Sequence, residues 1–260
     1  MDNRVVCHFS CGAASAVATK YALMHYGIEN CVVININIVE EHPDNQRFLK
    51  QCEAWFGTSI TVLQNEKYNG SIYEVFERSS YIKGVKGAPC TNQLKRRVRE
   101  EFQRPDDLHI FGFTVEEEQR AIDFEERNAQ LAVDWILIDN GISKPDCLGI
   151  LQDVGIEIPT MYKLGYNNNN CVGCVKGGMG YWNKIRRDFP ETFDRMAKTE
   201  RKIGHSVLKD ADGAVYLDEL DPNRGRLSEE VDIDCSFFCS NAVSKFETFD
   251  ESTIVVKEID

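Results

Sequence analysis

Ten cysteines stand in this chain of 260 residues, and five of them are spaced so that they could do chemistry. Cys171-Val172-Gly173-Cys174 places two thiols in a glycine-flanked loop, with Gly177-Gly178 just beyond. Two thiolates at that spacing can chelate one metal while glycine lets the backbone wrap round it. A thioredoxin-type dithiol would open a helix directly after a strand, and here Gly177-Gly178 intervenes. Cys90 closes a second loop rich in glycine and lysine, Lys83 to Cys90, and is a third candidate ligand. Cys235 and Cys239 in the tail offer either a fourth ligand or a reactive thiol. Zinc and an iron–sulfur cluster both accept four cysteines, and the spacing does not separate them. Cys7, Cys31, Cys52 and Cys147 sit among apolar neighbours and read as small core residues. Cys11 is ambiguous because of the loop it occupies.

That loop is Ser10-Cys11-Gly12-Ala13-Ala14-Ser15. An apolar run, Val5 to Phe9, precedes it, and a helix-forming run, Ala16 to Met24, follows. Small residues between strand and helix let a backbone approach phosphate. The unpaired first amides of the helix, and its dipole, favour an anion there. Ser10, Gly12, Ala13 and Ser15 are the candidate contacts. A plain turn capped by Ser10 is the competing reading. No lysine follows a glycine run, which excludes a Walker-type loop, and the dinucleotide glycine spacing is absent. Lys95, Arg96, Arg97 and Arg99 form a basic run just after Cys90. Such a run is usually a solvated face, but here Lys95 could hold phosphate or sulfate. Arg120 and Arg127 share a helix face, with Glu117 placed to pair with Arg120. His42 reads as a ligand contact or a solvated loop residue, and His8 as core.

The elements that must position these residues alternate. Strands are expected at Val5–Phe9, Cys31–Val39, Ser59–Leu63, Leu108–Phe113 and Trp135–Ile138. Helices are expected from Pro43 to Phe56, Ser71 to Arg78, Asn92 to Phe102 behind a Thr91 cap, Glu116 to Gln130 and Lys144 to Val154. Alternation of this kind predicts an α/β fold with a mostly parallel five-stranded sheet flanked by helices. Ligands on such sheets lie beyond the C-terminal strand ends. Ser10, the Glu40–His42 cluster and the Gly112 turn all fall at such ends, which favours the anion reading of the first loop. From Asn167 the character changes. The expected division is an α/β domain carrying the anion loop over residues 1–165 and a cysteine-bearing helical segment over 166–260, with helices at Tyr181–Asp188 and Pro190–Ile203.

The formal net charge is -12. A broad basic surface is therefore not expected, and nucleic acid would need a local basic patch. No apolar run reaches the roughly 18 residues of a membrane helix. Met-Asp-Asn-Arg runs into a strand with no apolar leader. Clustered cysteines then read as metal or redox chemistry in a reducing cytoplasm. An acidic surface would suit a protein partner, and the sequence leaves a homo-oligomer open.

The order of these motifs resembles the phosphoadenosine phosphosulfate reductase branch of the adenine-nucleotide α-hydrolase superfamily. The resemblance runs from about Arg4 to Gly204 and rests on four pieces: the Ser10–Ser15 loop, Pro89-Cys90-Thr91 before a basic helix, Phe111-Gly112-Phe113-Thr114 before acids and Arg120, and Cys171–Cys174. It implies an adenine nucleotide at the sheet's C-terminal edge and a [4Fe-4S] cluster held by Cys90, Cys171 and Cys174. It also implies an enzyme that reduces an adenylyl sulfonucleotide. Cys235 or Cys239 would be its nucleophile and a thioredoxin-like protein its reductant. Three departures stand out. Ala14 replaces the acid of the ATP pyrophosphatases. Cys90 is single where the reductases carry adjacent cysteines. The tail lacks their Glu-Cys-Gly-Leu-His ending. An ATP-dependent sulfurtransferase with a three-cysteine cluster, and a zinc-stapled nucleotide-binding subunit, are the alternative readings.

Overall fold

The apolar run at Val5 becomes the middle strand of a five-stranded sheet in which every pairing is parallel. The computed structural model describes residues 4–84 and 87–226. Strand β1 (Val5–His8) is flanked by β2 (Cys31–Ile36) and β4 (Leu108–Ile110), with β3 (Ile60–Leu63) and β5 (Ala132–Asp134) at the edges. Val5 lies opposite both Cys31 and Leu108, so β1 is hydrogen-bonded on both sides. That environment suits its near-continuous apolar run. The chain moves outward from β1 to β3 and then crosses back to β4. The crevice between β1 and β4 is thus the switch point where such sheets take ligands.

Helix α1 (Ala13–Tyr26) is the hub of the larger core. Ala13, Ala16, Val17, Ala18, Tyr21 and Ala22 are buried, and small residues on several faces let it sit between α2 (Asn45–Phe56) and α7 (Lys144–Asp153). Phe9, Phe48 and Phe56 pack edge-on and tilted beneath the loop, each burial contributing roughly 1.5–3 kcal/mol. Helix α2 stops where expected, at Gly57 in the left-handed conformation. Helix α7 starts with a complete capping box between Ser143 and Asp146.

A second apolar cluster draws on both sides of residue 165. Helix α3 (Ile72–Ser79) packs with α10 (Pro190–Ile203), which packs with α9 (Met179–Asp188) around the fully buried Trp182. The helical segment after Asn167 therefore shares its core with residues 68–94. A small antiparallel pair, β6 (Leu208–Lys209) and β7 (Ala214–Val215), follows. Among the described residues no helix is long and apolar enough to cross a membrane.

Two local expectations are corrected. Trp135–Ile138 is not the fifth strand: β5 lies just before it, and Ile136–Asp139 forms a short helical turn, α6. A four-residue apolar run buried on every side satisfies either geometry, and periodicity cannot choose. Thr91 does not cap an α-helix. Thr91–Arg96 is a π-helical turn that runs into α4 (Arg97–Phe102). Wide turns of this kind cluster at functional sites. Between β4 and β5, α5 (Glu118–Arg127) is shorter than expected at both ends.

Candidate functional site

The loop after β1 is built from backbone. Cys11 takes φ of 55°, a left-handed conformation that costs a non-glycine residue and persists where the surroundings enforce it. Ser15 Oγ accepts from the Ser10 amide and the Ser10 hydroxyl, both at 3.1 Å, and donates to the Gly12 carbonyl at 2.9 Å. The hydroxyl of Tyr162, on the short helix α8 (Thr160–Lys163), accepts from the Ala13 amide at 3.3 Å. The amides of Gly12, Ala14 and Ser15 have no acceptor among the described residues. Together they form a donor cluster at the positive end of a 14-residue helix. Gly112, in the turn after β4, presses on this loop. A Cβ there would lie 2.4 Å from the Ser15 amide nitrogen and 2.5 Å from its Cα. Only glycine allows the β4 turn to close the crevice against α1 at the switch point.

A buried polar bridge joins this loop to the cysteines. Asn169 Nδ2 donates to the Cys11 carbonyl at 2.6 Å and to Asn45 Oδ1 at 2.7 Å. Asn45 Nδ2 donates to Glu41 Oε2 at 3.0 Å, and Lys95 Nζ lies 3.7 Å from Glu41 Oε1. Burial raises the Glu41 pKa against the pull of Lys95 and Asn45. At Lys95 burial works against the charge, yet Glu41, Cys171, Cys174 and Cys90 together hold its pKa above the ordinary value. Burial and the neighbouring Cys174 push the Cys90 thiol up to about 11, with Lys176 and Lys95 opposing. Burial also pushes Cys171 up, with Glu41, Cys174 and Cys90 adding and Lys95 opposing.

The Cys171–Cys174 loop is shaped by Tyr181. Its hydroxyl accepts from the amides of Gly173 and Cys174 at 3.1 and 2.9 Å and donates to the Cys171 carbonyl at 3.3 Å. Gly173 has φ of 77°, and a Cβ on it would meet Thr192 at 2.8 Å. Glu40 holds the loop from the other side. Its carbonyl accepts from the Val172 amide at 2.9 Å. Its carboxylate caps α3, accepting from Ser71 Oγ at 2.6 Å and the Ile72 amide at 2.9 Å.

All eight cysteines among the described residues are free. Cys7, Cys31, Cys52 and Cys147 are core, as the sequence suggests, and so is Cys11, whose thiol sits 3.5 Å from Asn35 Nδ2. Among the described residues no group of three or more His, Cys, Asp or Glu side chains gathers to hold a single metal ion. The convergence of Cys90, Cys171 and Cys174 on one centre, expected from the sequence for zinc or a cluster alike, is therefore not seen among the described residues. Cys90, Cys171 and Cys174 are each half-buried.

The remaining candidates are scattered. Arg120 is exposed, pairs with Glu117 and covers the Phe113 ring at 4.4 Å, the pairing its sequence position allowed. His42 Nδ1 accepts from the Asp44 amide at 3.1 Å, a local turn contact. Arg96 pairs with Glu100, while Arg99 is buried over Phe124. Cys235 and Cys239 lie outside the described residues. Glu40, Glu41, Asn45, Asn169, Tyr162 and Tyr181 carry the site's architecture without having been singled out for it. Only the Glu40–His42 strand end was flagged. Compared with models of known protein families, with characterised proteins and with solved structures, the chain gave no match.

Proposed function

We propose that the chain is a sulfonucleotide reductase-like enzyme that binds an adenylyl sulfonucleotide at the β1–β4 crevice. The observation that carries this reading is the Asn169–Asn45–Glu41 bridge. It ties a donor-rich anion loop to Glu41, whose carboxylate lies 3.7 Å from Lys95 Nζ. The amides of Gly12, Ala14 and Ser15 and the Ser10 hydroxyl receive the phosphate. Lys95 supplies positive charge for the sulfonyl end, where charge-assisted contacts are strongest. The tail thiols Cys235 and Cys239 are assigned the covalent step. A thiolate attacks the sulfonyl sulfur, the S–O bond to phosphate breaks and takes its electron pair with the nucleotide, and a cysteinyl thiosulfonate forms. A second thiol, from a thioredoxin-like reductant, attacks the cysteine sulfur, releases sulfite and leaves a mixed disulfide.

Cys90, Cys171 and Cys174 are the residues that would hold an iron–sulfur cluster, which when bound supplies a redox-active iron–sulfur unit beside Lys95. The test is anaerobic purification with iron and sulfide analysis, followed by titration with adenosine phosphosulfate and with adenosine monophosphate. Lys95→Ala should weaken the sulfonucleotide by about 10-fold or more and the monophosphate far less, the scale of one charge-assisted contact. Equal loss for both ligands, or no loss, refutes the assignment of Lys95. Sulfide-dependent consumption of ATP without sulfite release would instead mark a sulfurtransferase.

A further inference from the structure

A cavity of about 280 Å³ lies between the end of α4 and the residues that enter β4 and β5, with Gln103, Arg104, His109 and Gln130 in its wall. All five strands run the same way, so it sits towards the edge of the sheet opposite the Ser10 loop. Two of its wall residues bury a polar atom that has no partner among the described residues, Gln103 Oε1 and His109 Nε2. Arg99 adds a third, its Nε. The Gln103 amide donates to the Arg99 carbonyl at 2.9 Å, so the two residues stand one helical turn apart on the same face of α4. Arg99 is 8% exposed. Its side chain donates to Asn128 Oδ1 at 3.4 Å and forms no ion pair among the described residues. Burial lowers its pKa, with Glu100 opposing and Arg96 adding, yet a guanidinium remains charged in a protein. A cation taken out of water without a counter-charge is costly, and such a group calls for an explanation. The acids in the cavity wall do not supply one. Asp107 accepts from Arg4 at 2.8 and 2.7 Å and from the Arg104 amide at 2.7 Å, and Glu100 accepts from Arg96 at 2.7 Å. The Arg104 side chain is exposed and likewise forms no ion pair among the described residues.

We infer that this cavity is a second anion site, in which a small hydroxyl-bearing oxyanion of the hydrogen phosphate type supplies the counter-charge of Arg99. Arg99 Nε and the Arg104 guanidinium donate to its oxygens, the charge-assisted contacts that are strongest out of water. Its hydroxyl donates to Gln103 Oε1, which an oxyanion without a hydrogen leaves unanswered. His109 Nε2 donates as well, in the tautomer whose Nδ1 accepts from His8 Nε2 at 3.0 Å. The site stands apart from the nucleotide reading and does not depend on it.

The test follows the Arg99 Nε–H resonance by heteronuclear NMR in the full chain, in buffer free of oxyanions, and assigns it by its loss in Arg99→Met. Sodium phosphate should move it saturably, as a donor that gains an acceptor. Sodium sulfate at equal ionic strength should bind at least about 10-fold more weakly, because it leaves the Gln103 acceptor unpaired, and Gln103→Leu should narrow that gap. Ser15→Ala, in the loop after β1, should leave the response intact. Without phosphate, Arg99→Met should be at least as stable to urea as wild type, because a buried cation without a counter-charge has been removed. No response to phosphate, or an equal response to sodium chloride, overturns the inference. A response lost in Ser15→Ala overturns it too, by placing the phosphate at that loop. So does an Arg99 resonance that is already that of a hydrogen-bonded donor before phosphate is added, because the chain itself then supplies the counter-charge.

Discussion

Replacing His109 with glutamine should remove part of the stability that the protein loses on acidification between about pH 7 and 4.5. His109 on β4 is 1% exposed, and its Nδ1 lies 3.0 Å from His8 Nε2 on β1. Burial, with Arg99 and Arg4 assisting and Asp107 opposing, lowers its pKa to about 4. His8 is lowered as well, by burial, then by His109 and Arg99. A histidine whose folded pKa lies below the unfolded value of 6.5 costs nothing above pH 6.5. Below it, the unfolded chain takes up a proton that the folded chain refuses, so stability falls until the folded pKa is reached. At 1.36 kcal/mol per unit, His109 alone withdraws about 3 kcal/mol by about pH 4. Glu200 on α10 works the other way. It is fully buried, accepts from the amides of Val207 and Leu217, and burial raises its pKa to about 7. Between about pH 7 and 4.5 the folded chain keeps a proton that the unfolded chain releases, so stability rises on acidification by a similar amount. The His109 and Glu200 contributions roughly offset, so His8 leaves wild type losing stability as pH falls. His109→Gln should lose less than wild type, and Glu200→Gln more. Urea denaturation at intervals across this range gives both slopes. If His109→Gln and wild type have the same slope, the histidine pair is not held neutral and the reasoning fails.

Gly112→Ala forces a methyl group into the backbone of α1 and should cost at least about 1–3 kcal/mol by overpacking; thermal unfolding, together with nucleotide titration of the folded fraction, measures it. Asn169→Leu cuts the bridge at its centre and leaves the Cys11 carbonyl and Asn45 Oδ1 without the Asn169 donor. A loss of about 2 kcal/mol in urea, with weaker nucleotide binding although no anion donor is touched, is the expected outcome; unchanged affinity would show that the two loops are independent. Glu40→Gln exchanges one accepting oxygen of the α3 cap for a donor and should cost about 1–2 kcal/mol. Hydrogen exchange at Ile72 and Val172 reads the effect locally, and full protection at Ile72 would argue against the cap.

The sheet and the anion loop were legible because their signals are local. Val5 to Phe9 followed by small residues announces a buried strand entering a helix, and Gly57 and Ser143 mark helix ends by chemistry that acts within a few residues. Trp135–Ile138 was misread because an apolar run buried on all sides carries no period. The bridge was not legible. Asn169 lies 158 residues from Cys11 and 124 from Asn45, and in the sequence it is one of four consecutive asparagines. Its neighbours Asn167, Asn168 and Asn170 are exposed while it is buried, a difference that only tertiary packing creates. Tyr181 likewise looks like an aromatic residue of any amphipathic helix until the Cys171 loop is placed beside it.

The bridge through Asn169 also imposes a thermodynamic symmetry. One side chain holds the carbonyl of the anion loop and stands two residues before the first cysteine of the metal-type loop, so neither loop can shift without straining the other. Whatever factor a group bound by the cysteines adds to nucleotide affinity, the nucleotide must return to the retention of that group, because the two equilibria close a single cycle. Partial occupancy of one site would then spread the apparent affinity of the other. Titration curves taken on incompletely loaded protein would report the loading as much as the ligand.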